Sequence, residues 1–215
     1  MSNETTNPVV KWILIGICVV SVCVVGVLFL IGSYSANGHR AARELQARGF
    51  RIDYLSHGEF VWAYAGTVIG KDQSITEDDS RLIGQLSHLQ FLEFIRCDLS
   101  ELNLNDIGNC RELSNFHCYD VTPFPANEIS KLVACPIKVF VFENASLNDS
   151  DLEVFAKLTK LEYLHLNGNT GITDEGFEYF EKITSLKNLF LNGTSVTEEG
   201  IEEFKKKRPD VIVSY

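Results

Sequence analysis

Apolar residues recur along this chain with a period of about 24 residues. Each copy opens with polar residues typical of a helix N-cap and continues with apolar residues at helical spacing. It ends in a Leu-x-x-Leu-x-Leu core, whose last apolar residues alternate as in a short strand. Repetition at this period predicts a solenoid in which stacked units complete each other's core. The copies begin at Ile75, Leu99, Val121, Leu147, Ile172 and Val196.

The copies nearest the C-terminus show the pattern most clearly. The segment 172–194 reads ITDEGFEYFEKITSLKNLFLNGT, and VTEEGIEEF follows from Val196. The preceding copy carries LEYLHLNGN from Leu161. These residues resemble the leucine-rich repeat family, in particular its ribonuclease-inhibitor-like branch with a helix in each unit. The resemblance implies an α/β fold, with a curved parallel sheet on the concave side and helices on the convex side.

Some copies depart from the family pattern. The asparagine that the family places at the ninth core position is present as Asn169, whereas Cys97 and Thr194 take that position in other copies. Pro123 and Pro125 fall at a helix start in the third copy. Because proline disrupts regular helix, the convex side is expected to be irregular there.

The two ends of a repeat array need caps, because a terminal unit would otherwise expose its apolar face. Residues 41–49 predict a short helix that ends at Gly49, and residues 50–55 and 60–65 predict two strands joined by a turn. Residues 204–215 predict a last helix and a truncated strand. The predicted organisation is a tail (1–11), an apolar span (12–33), a juxtamembrane helix and strand pair forming the N-terminal cap (34–74), and the repeats with their C-terminal cap (75–215).

A span without charge precedes the repeats. The 22 residues from Trp12 to Ser33 match the ~30 Å hydrocarbon core of a bilayer at a rise of about 1.5 Å per residue. This predicts a transmembrane helix, with Trp12 and Tyr34 at its interfaces. A cleaved signal peptide is the alternative, although its apolar region is normally shorter.

The flanking charges predict the orientation of that helix. Lys11 precedes it, whereas Arg40, Arg43, Arg48 and Arg51 follow within about 20 residues. This bias favours a single-pass membrane protein with its large domain on the cytoplasmic side. The six cysteines lack the paired spacing of a zinc site and are interpreted as small core residues, which suits a reducing compartment.

Charge restricts the class of partner. Residues 1–74 carry six Lys and Arg against five Asp and Glu, and the remainder carries 13 against 24, so the repeats have a net charge of −11 in a chain whose total is −10. An acidic domain repels phosphate backbones, which argues against nucleic-acid binding. A partner is expected to be neutral or basic.

No set of residues predicts catalysis. Residues 148–151 (NDSD) resemble the start of a calcium loop, but they share their register with Thr173 and Thr197, so they are interpreted as a helix N-cap. His117 and His165 should lie two strands apart, about 9.6 Å, which is too far for one metal ion. No phosphate-binding loop or nucleophile-base spacing is present. We therefore expect no enzymatic activity, no cofactor, no metal and no small-molecule substrate.

A surface remains as the candidate site. In Leu-x-x-Leu-x-Leu-x the third, fifth and seventh residues should point to the concave side. Exposed aromatic side chains there are typical of a protein interface. The residues assigned to this side are Phe91, Glu93, Ile95, Asn115, His117, Tyr119, Val139, Val141, Glu143, Tyr163, His165, Asn167, Asn188, Phe190 and Asn192. Those predicted to contact a partner are Phe91, Glu93, His117, Tyr119, Val141, Glu143, Tyr163, His165 and Phe190.

The sequence therefore favours a membrane-anchored protein-binding module that recognises a protein partner through its concave face. The alternative is a structural component of a membrane assembly that positions the apolar span and has no ligand on the concave face. Gly16, Gly26 and Gly32 lack the Gly-x-x-x-Gly spacing, which weakens helix pairing as the main task.

Overall fold

Eight strands form one sheet, and their order in space is their order in the chain. A computed structural model of the protein describes residues 37–56, 63–121 and 124–215. β1 pairs with β2 antiparallel, and every later pair is parallel. The strands are β1 Arg51–Ser56, β2 Ala63–Lys71, β3 Phe91–Ile95, β4 Asn115–Tyr119, β5 Val139–Glu143, β6 Tyr163–His165, β7 Asn188–Phe190 and β8 Ile212–Ser214.

One helical segment separates each parallel strand from the next, as the repeat pattern predicts. The described part of α1 covers residues 37–47 and precedes β1. The later helices are α2 Glu77–Gly84, α3 Leu104–Ile107, α4 Phe177–Phe180 and α5 Glu198–Lys207. The irregularity expected near Pro125 takes the form of 3₁₀ helix over Ala126–Leu132; 3₁₀ helix also forms over Asp149–Lys157 and Asp174–Gly176. The architecture is that of a leucine-rich repeat solenoid.

The strands are paired at a nearly constant offset. Leu92, Phe116, Phe140 and Leu164 lie side by side at intervals of 24 residues, and Leu189 follows after 25. The assignment of Val121 as the start of a copy, which made the spacing of the copies uneven, is therefore wrong. Val121 lies 24 residues after Cys97 and is fully buried, so it occupies the ninth core position of its own unit and does not begin the next one.

The first parallel strand lies nearer the N-terminus than the repeat pattern predicted. β2 runs to Lys71, past the expected end at Ala65, and pairs in register with β3, so that Val68 adjoins Leu92. The leucine pattern is almost absent from this strand. Of the leucine positions of the core only one holds a large apolar residue, Val68, and Gly66 and Gly70 lie two residues to either side of it. A Cβ at Gly70 would lie 3.1 Å from the rings of Phe50 and Phe94.

A left-handed residue follows the strand in each unit. These residues have φ between 49° and 74° and recur at the same offset as the strands. Some are tied to the next unit: Arg96 Nε donates to Asp72 Oδ1 at 2.6 Å, and Asn144 Nδ2 donates to Asp120 Oδ1 at 2.8 Å. The members are Asp72, Arg96, Asp120, Asn144, Gly168 and Gly193.

The Thr-Asp/Glu-Glu-Gly segments of the last units are explained by contact with the preceding unit. Asp149 accepts hydrogen bonds from the backbone N and the hydroxyl of Thr173, at 2.9 and 2.7 Å. Asp174 binds Thr197 in the same way, at 2.8 and 2.6 Å. A Cβ at Gly176 would lie 2.7 Å from Asp149 Oδ1, and a Cβ at Gly200 would be closer still to the carboxylate of Asp174. Glycine is needed there because the carboxylate of the neighbouring unit occupies the space.

Asn169 satisfies the backbone where the chain turns. Its buried side chain donates to the carbonyls of Phe142 and Leu166 at 2.7 and 2.8 Å, and accepts from the backbone N of Ala145 and Leu147 at 3.1 and 3.0 Å. The single asparagine thus joins two units. It supplies the buried polar partners that a turning backbone requires.

An arginine side chain stabilises each end of the solenoid by polar contacts. Arg48, at the end of α1, binds Asp79 of α2 at 2.8 Å and Asp78 at 2.6 Å. At the other end, Arg208 donates to the carbonyls of Ile183 and Leu186, at 3.1 and 3.2 Å. The last helix and strand predicted for residues 204–215 are present as the end of α5 and β8.

No helix within residues 37–56, 63–121 or 124–215 combines the length and apolar character needed to cross a bilayer. The span predicted at Trp12–Ser33 lies outside these described residues.

Opposite sides of one strand should differ in their effect on stability. Leu189 is fully buried beside Leu164, whereas Phe190 is partly exposed on the other side of β7. We expect Leu189→Ala to reduce the free energy of unfolding by about 2–5 kcal/mol, and Phe190→Ala by about 1 kcal/mol. Urea unfolding of residues 38–215 measures both. Equal losses would contradict the assignment of Phe190 to the exposed side.

Candidate functional site

One face of the sheet carries all of the residues predicted to contact a partner. Burial alternates along β3, β4 and β7, so that the first, third and fifth side chains of β3 and β4 are half-buried and the ones between them are fully buried. We call the half-buried side the open sheet face. It corresponds to the side that the sequence pattern assigned as concave.

The parallel register arranges this face in three rows that cross the strands. The middle row contains Ile69, Glu93, His117, Val141, His165 and Phe190. The row nearer the start of the strands contains Thr67, Phe91, Asn115, Val139, Tyr163 and Asn188. The third row includes Lys71, Ile95, Tyr119 and Glu143. The predicted residues of β3 to β7 are thus direct neighbours.

Val141 is the exception among the predicted contact residues. It lies in the middle row, but its side chain is only 4% exposed, so its expected accessibility is wrong. Val141 is short and stands between the larger His117 and His165 of the adjacent strands, so longer side chains flank it on both sides. Its place in the row is as predicted.

Two residues that the sequence reasoning missed extend the face. Thr67 and Ile69 of β2 pair with Phe91 and Glu93 and are half-buried like them. The signal that could have found them is the separation of 24 residues between Val68 and Leu92. Ala65 and Gly70, in place of the first and last leucines of the core, concealed that match.

Rings pack against each other across the strands of this face. The His165 and Phe190 rings are stacked with centroids 3.9 Å apart, and the Phe91 and His117 rings meet edge-on at 4.6 Å. Tyr163 stays 39% exposed. Such contacts fix the orientation of side chains before any partner arrives.

His117 is held as a neutral imidazole. Burial lowers its pKa to about 4, and the neighbouring His165 acts in the same direction. Its Nδ1 lies 3.4 Å from the Tyr119 hydroxyl and 3.8 Å from Glu93 Oε2, and its buried Nε2 has no hydrogen-bond partner in the described part of the chain. Burial lowers the pKa of His165 as well.

The two carboxylates of the face have different surroundings. Glu143 accepts a hydrogen bond from Asn167 Nδ2 at 2.8 Å. Among the described residues, Glu93 has no hydrogen-bond partner closer than the 3.8 Å approach of His117; burial raises its pKa, and the more distant charge of Arg51 acts in the opposite direction. Burial also raises the pKa of Tyr119, with the charges of Glu93 and Glu143 acting in the same sense. The carboxylates and the phenol therefore act on one another.

Within the described residues, no group of three or more His, Cys, Asp or Glu is arranged to hold a metal ion. The side chains of residues 148–151 act as an N-cap, since Asn148 accepts from Ser150 N and Asp151 accepts from Asn148 N. Burial raises the pKa of the Cys110 and Cys135 thiols to about 12 and about 11, which makes them unreactive.

Comparison with known proteins finds similarity in fold only. No family model and no curated protein matches the chain. A leucine-rich repeat protein of Leptospira interrogans has a TM-score of 0.46 and 22% identity over 63% of this chain and 33% of its own. An internalin of Listeria monocytogenes has a TM-score of 0.40 and 15% identity over 70% and 47%. The leucine-rich repeat ectodomain of an Arabidopsis thaliana receptor kinase has a TM-score of 0.35 and 13% identity over 83% and 91%.

The chain spans about a third and about half of the first two of these structures. The architecture is established by the 24-residue register of the sheet.

The state of His117 predicts a dependence of stability on pH. Its pKa is about 4 in the folded protein and about 6.5 when unfolded, so between these values the unfolded chain binds more protons and acidification favours unfolding. We expect a loss of up to roughly 3 kcal/mol between about pH 7 and about pH 4, and a smaller loss in His117→Gln. Urea unfolding of both proteins across this range measures the difference. Parallel curves for the two proteins would contradict the neutral, buried state of His117.

Proposed function

We propose that this chain is a membrane-anchored protein-binding module that recognises a protein partner through the open sheet face. The observation that carries the proposal is the accumulation of aromatic side chains on that face. Phe91, Tyr119, Tyr163 and Phe190 are partly exposed, although the fold does not require aromatic residues there. Aromatic side chains of this kind are enriched at protein interfaces and among the residues that dominate binding energy.

The rigidity of the face supports the same proposal. Each strand from β3 to β7 is hydrogen-bonded on both sides, and ring contacts fix His117, His165 and Phe190. A surface that is ordered before binding loses little conformational entropy when the partner docks. The excess of acidic residues in 75–215 suits a neutral or basic partner.

The proposed anchor is the uncharged span at Trp12–Ser33, and the proposed location of the solenoid is the cytoplasmic side. Arg40 and Arg43 support this orientation, because both are exposed and lie just after the span. The buried, unpaired thiols of Cys97, Cys110, Cys118 and Cys135 are suited to a reducing compartment.

Removal of the aromatic side chains should abolish capture of the partner. We expect full-length Phe91→Ala/Tyr163→Ala/Phe190→Ala to recover the partner from detergent extracts of its own cells at roughly a tenth of the wild-type level or less, because each substitution removes an aromatic contact. Quantitative mass spectrometry of the captured proteins measures the ratio. The matched control is Tyr179→Ala/Tyr215→Ala, which removes aromatic side chains from α4 and the C-terminus.

The control variant should retain the partner, and melting curves establish that both variants are folded. Equal recovery by wild type and face variant would contradict binding through the open sheet face. It would favour a structural role in a membrane assembly.

Protease accessibility tests the proposed orientation. Protease added to intact cells should spare residues 75–215, whereas the same treatment after permeabilisation should digest them. Immunodetection of a C-terminal tag follows the digestion. Loss of the tag in intact cells would place the solenoid outside.

A further inference from the structure

Glu93 is a half-buried carboxylate that forms no ion pair with a Lys or Arg of the described residues, and the charge of Arg51 acts on it only from a longer distance. Its side chain is 15% exposed and lies between Ile69 and His117 in the middle row, with Phe91 and Ile95 on either side along β3. Within the described residues, no Lys or Arg nitrogen lies within 4.0 Å of the carboxylate of Glu93 or of Glu143. A carboxylate in such surroundings destabilises the fold unless another group compensates its charge.

The same protein compensates its other buried carboxylate. Asp79 has a side chain that is 6% exposed, and Arg48 binds it at 2.8 Å. Thr76 adds hydrogen bonds from its backbone N and its hydroxyl at 2.9 and 2.7 Å. The difference is one of position, because Asp79 holds α2 to α1, whereas Glu93 faces outwards on the open sheet face.

His117 does not supply the missing charge. Its pKa of about 4 leaves the imidazole neutral at pH 7, and the 3.8 Å separation from Glu93 Oε2 is too long for a hydrogen bond. The charge of Glu93 is therefore open to compensation by a group from outside the chain.

An aromatic ring lies between the two carboxylates. Tyr119 is the direct neighbour of Glu143 in the third row and the diagonal neighbour of Glu93, and both charges act on its hydroxyl. A guanidinium group can stack on an aromatic ring while its N–H groups bind carboxylates. Carboxylates beside an aromatic ring are thus complementary in charge and shape to an arginine side chain.

We infer that the protein partner inserts an arginine side chain over Tyr119, where its guanidinium binds the carboxylates of Glu93 and Glu143. The inference rests on the proposed function and names the chemistry by which the open sheet face selects its partner. The guanidinium of the partner would supply the close cation that Glu93 lacks within the described residues.

Titration with a single arginine side chain tests this site. The probe is N-acetyl-arginine methylamide, and its neutral counterpart is N-acetyl-citrulline methylamide, which has nearly the same shape without the charge. Nuclear magnetic resonance of the full-length chain in non-ionic detergent follows the amide signals of β3 to β5 and the ring of Tyr119. We expect saturable shifts with the arginine compound, with a dissociation constant on the order of millimolar, and none with the citrulline compound.

Two variants separate the site from general acidity. Glu93→Gln should weaken arginine binding by roughly three- to tenfold and raise the melting temperature, because it removes a half-buried charge that has no close cation. Glu202→Gln, an exposed acid on α5, should change neither. Binding of citrulline as tight as that of arginine, or unchanged binding in Glu93→Gln, would overturn the inference.

The outcomes distinguish this inference from the proposed function. If arginine does not bind while the Phe91/Tyr163/Phe190 variant still loses its partner, the inference is wrong and the proposed function stands. If that variant keeps its partner, both the proposed function and the arginine inference are wrong, whatever the titration shows.

Discussion

The structure depends on parallel pairing of each strand with its counterpart in the next unit. The same spacing of about 24 residues recurs in the buried row through Leu92, Phe116 and Phe140, in the turn residues with positive φ, and in the carboxylate–threonine pairs between units.

The unit that begins at Leu147 has one residue more than its neighbours, and this extra residue lies outside the strands. Ala145 and Asn169 are 24 residues apart, whereas Leu147 and Ile172 are 25 apart, so the insertion lies in the turn at Thr170–Gly171. Pairing therefore continues undisturbed through β6 and β7.

This pairing also creates the candidate site. Residues separated by one unit become neighbours about 4.8 Å apart, so side chains with no local relation in sequence form continuous rows. Glu93 adjoins His117 for this reason, and Val141 lies between His117 and His165. A substitution in one unit therefore changes the surroundings of a residue about 24 positions away. Neighbouring strands also affect the acid–base properties of the face: beside burial, His165 helps to lower the pKa of His117, and Glu93 and Glu143 help to raise the pKa of Tyr119.

The sequence predicts the architecture well where the leucine pattern is complete. Alternation in LEYLHL and LKNLFL is enough to place Tyr163, His165 and Phe190 on one face, because a strand has a period of two. It was insufficient at β2, where Val68 alone carries the pattern, and at Val121, where an apolar residue suited two registers. Accessibility was harder to predict than position. The burial of Val141 depends on the size of its neighbours in other units, which no single repeat contains.

The glycines opposite the inter-unit carboxylates restrict how such an array can be rearranged. Where one unit has an aspartate at the start of its helical segment, the next unit needs glycine two residues after the position that corresponds to that aspartate. Gly176 meets this requirement for Asp149, and Gly200 meets it for Asp174. The unit 172–195 has both the aspartate and the glycine, so a tandem duplicate of it would fit its own copy. The unit 147–171 has Asp151 where that glycine would be, so a duplicate of it would bring two carboxylates into the same space. The aspartates and glycines at the junctions thus restrict which unit can follow which. Recombination can lengthen the array by duplicating the unit 172–195, but not by duplicating the unit 147–171.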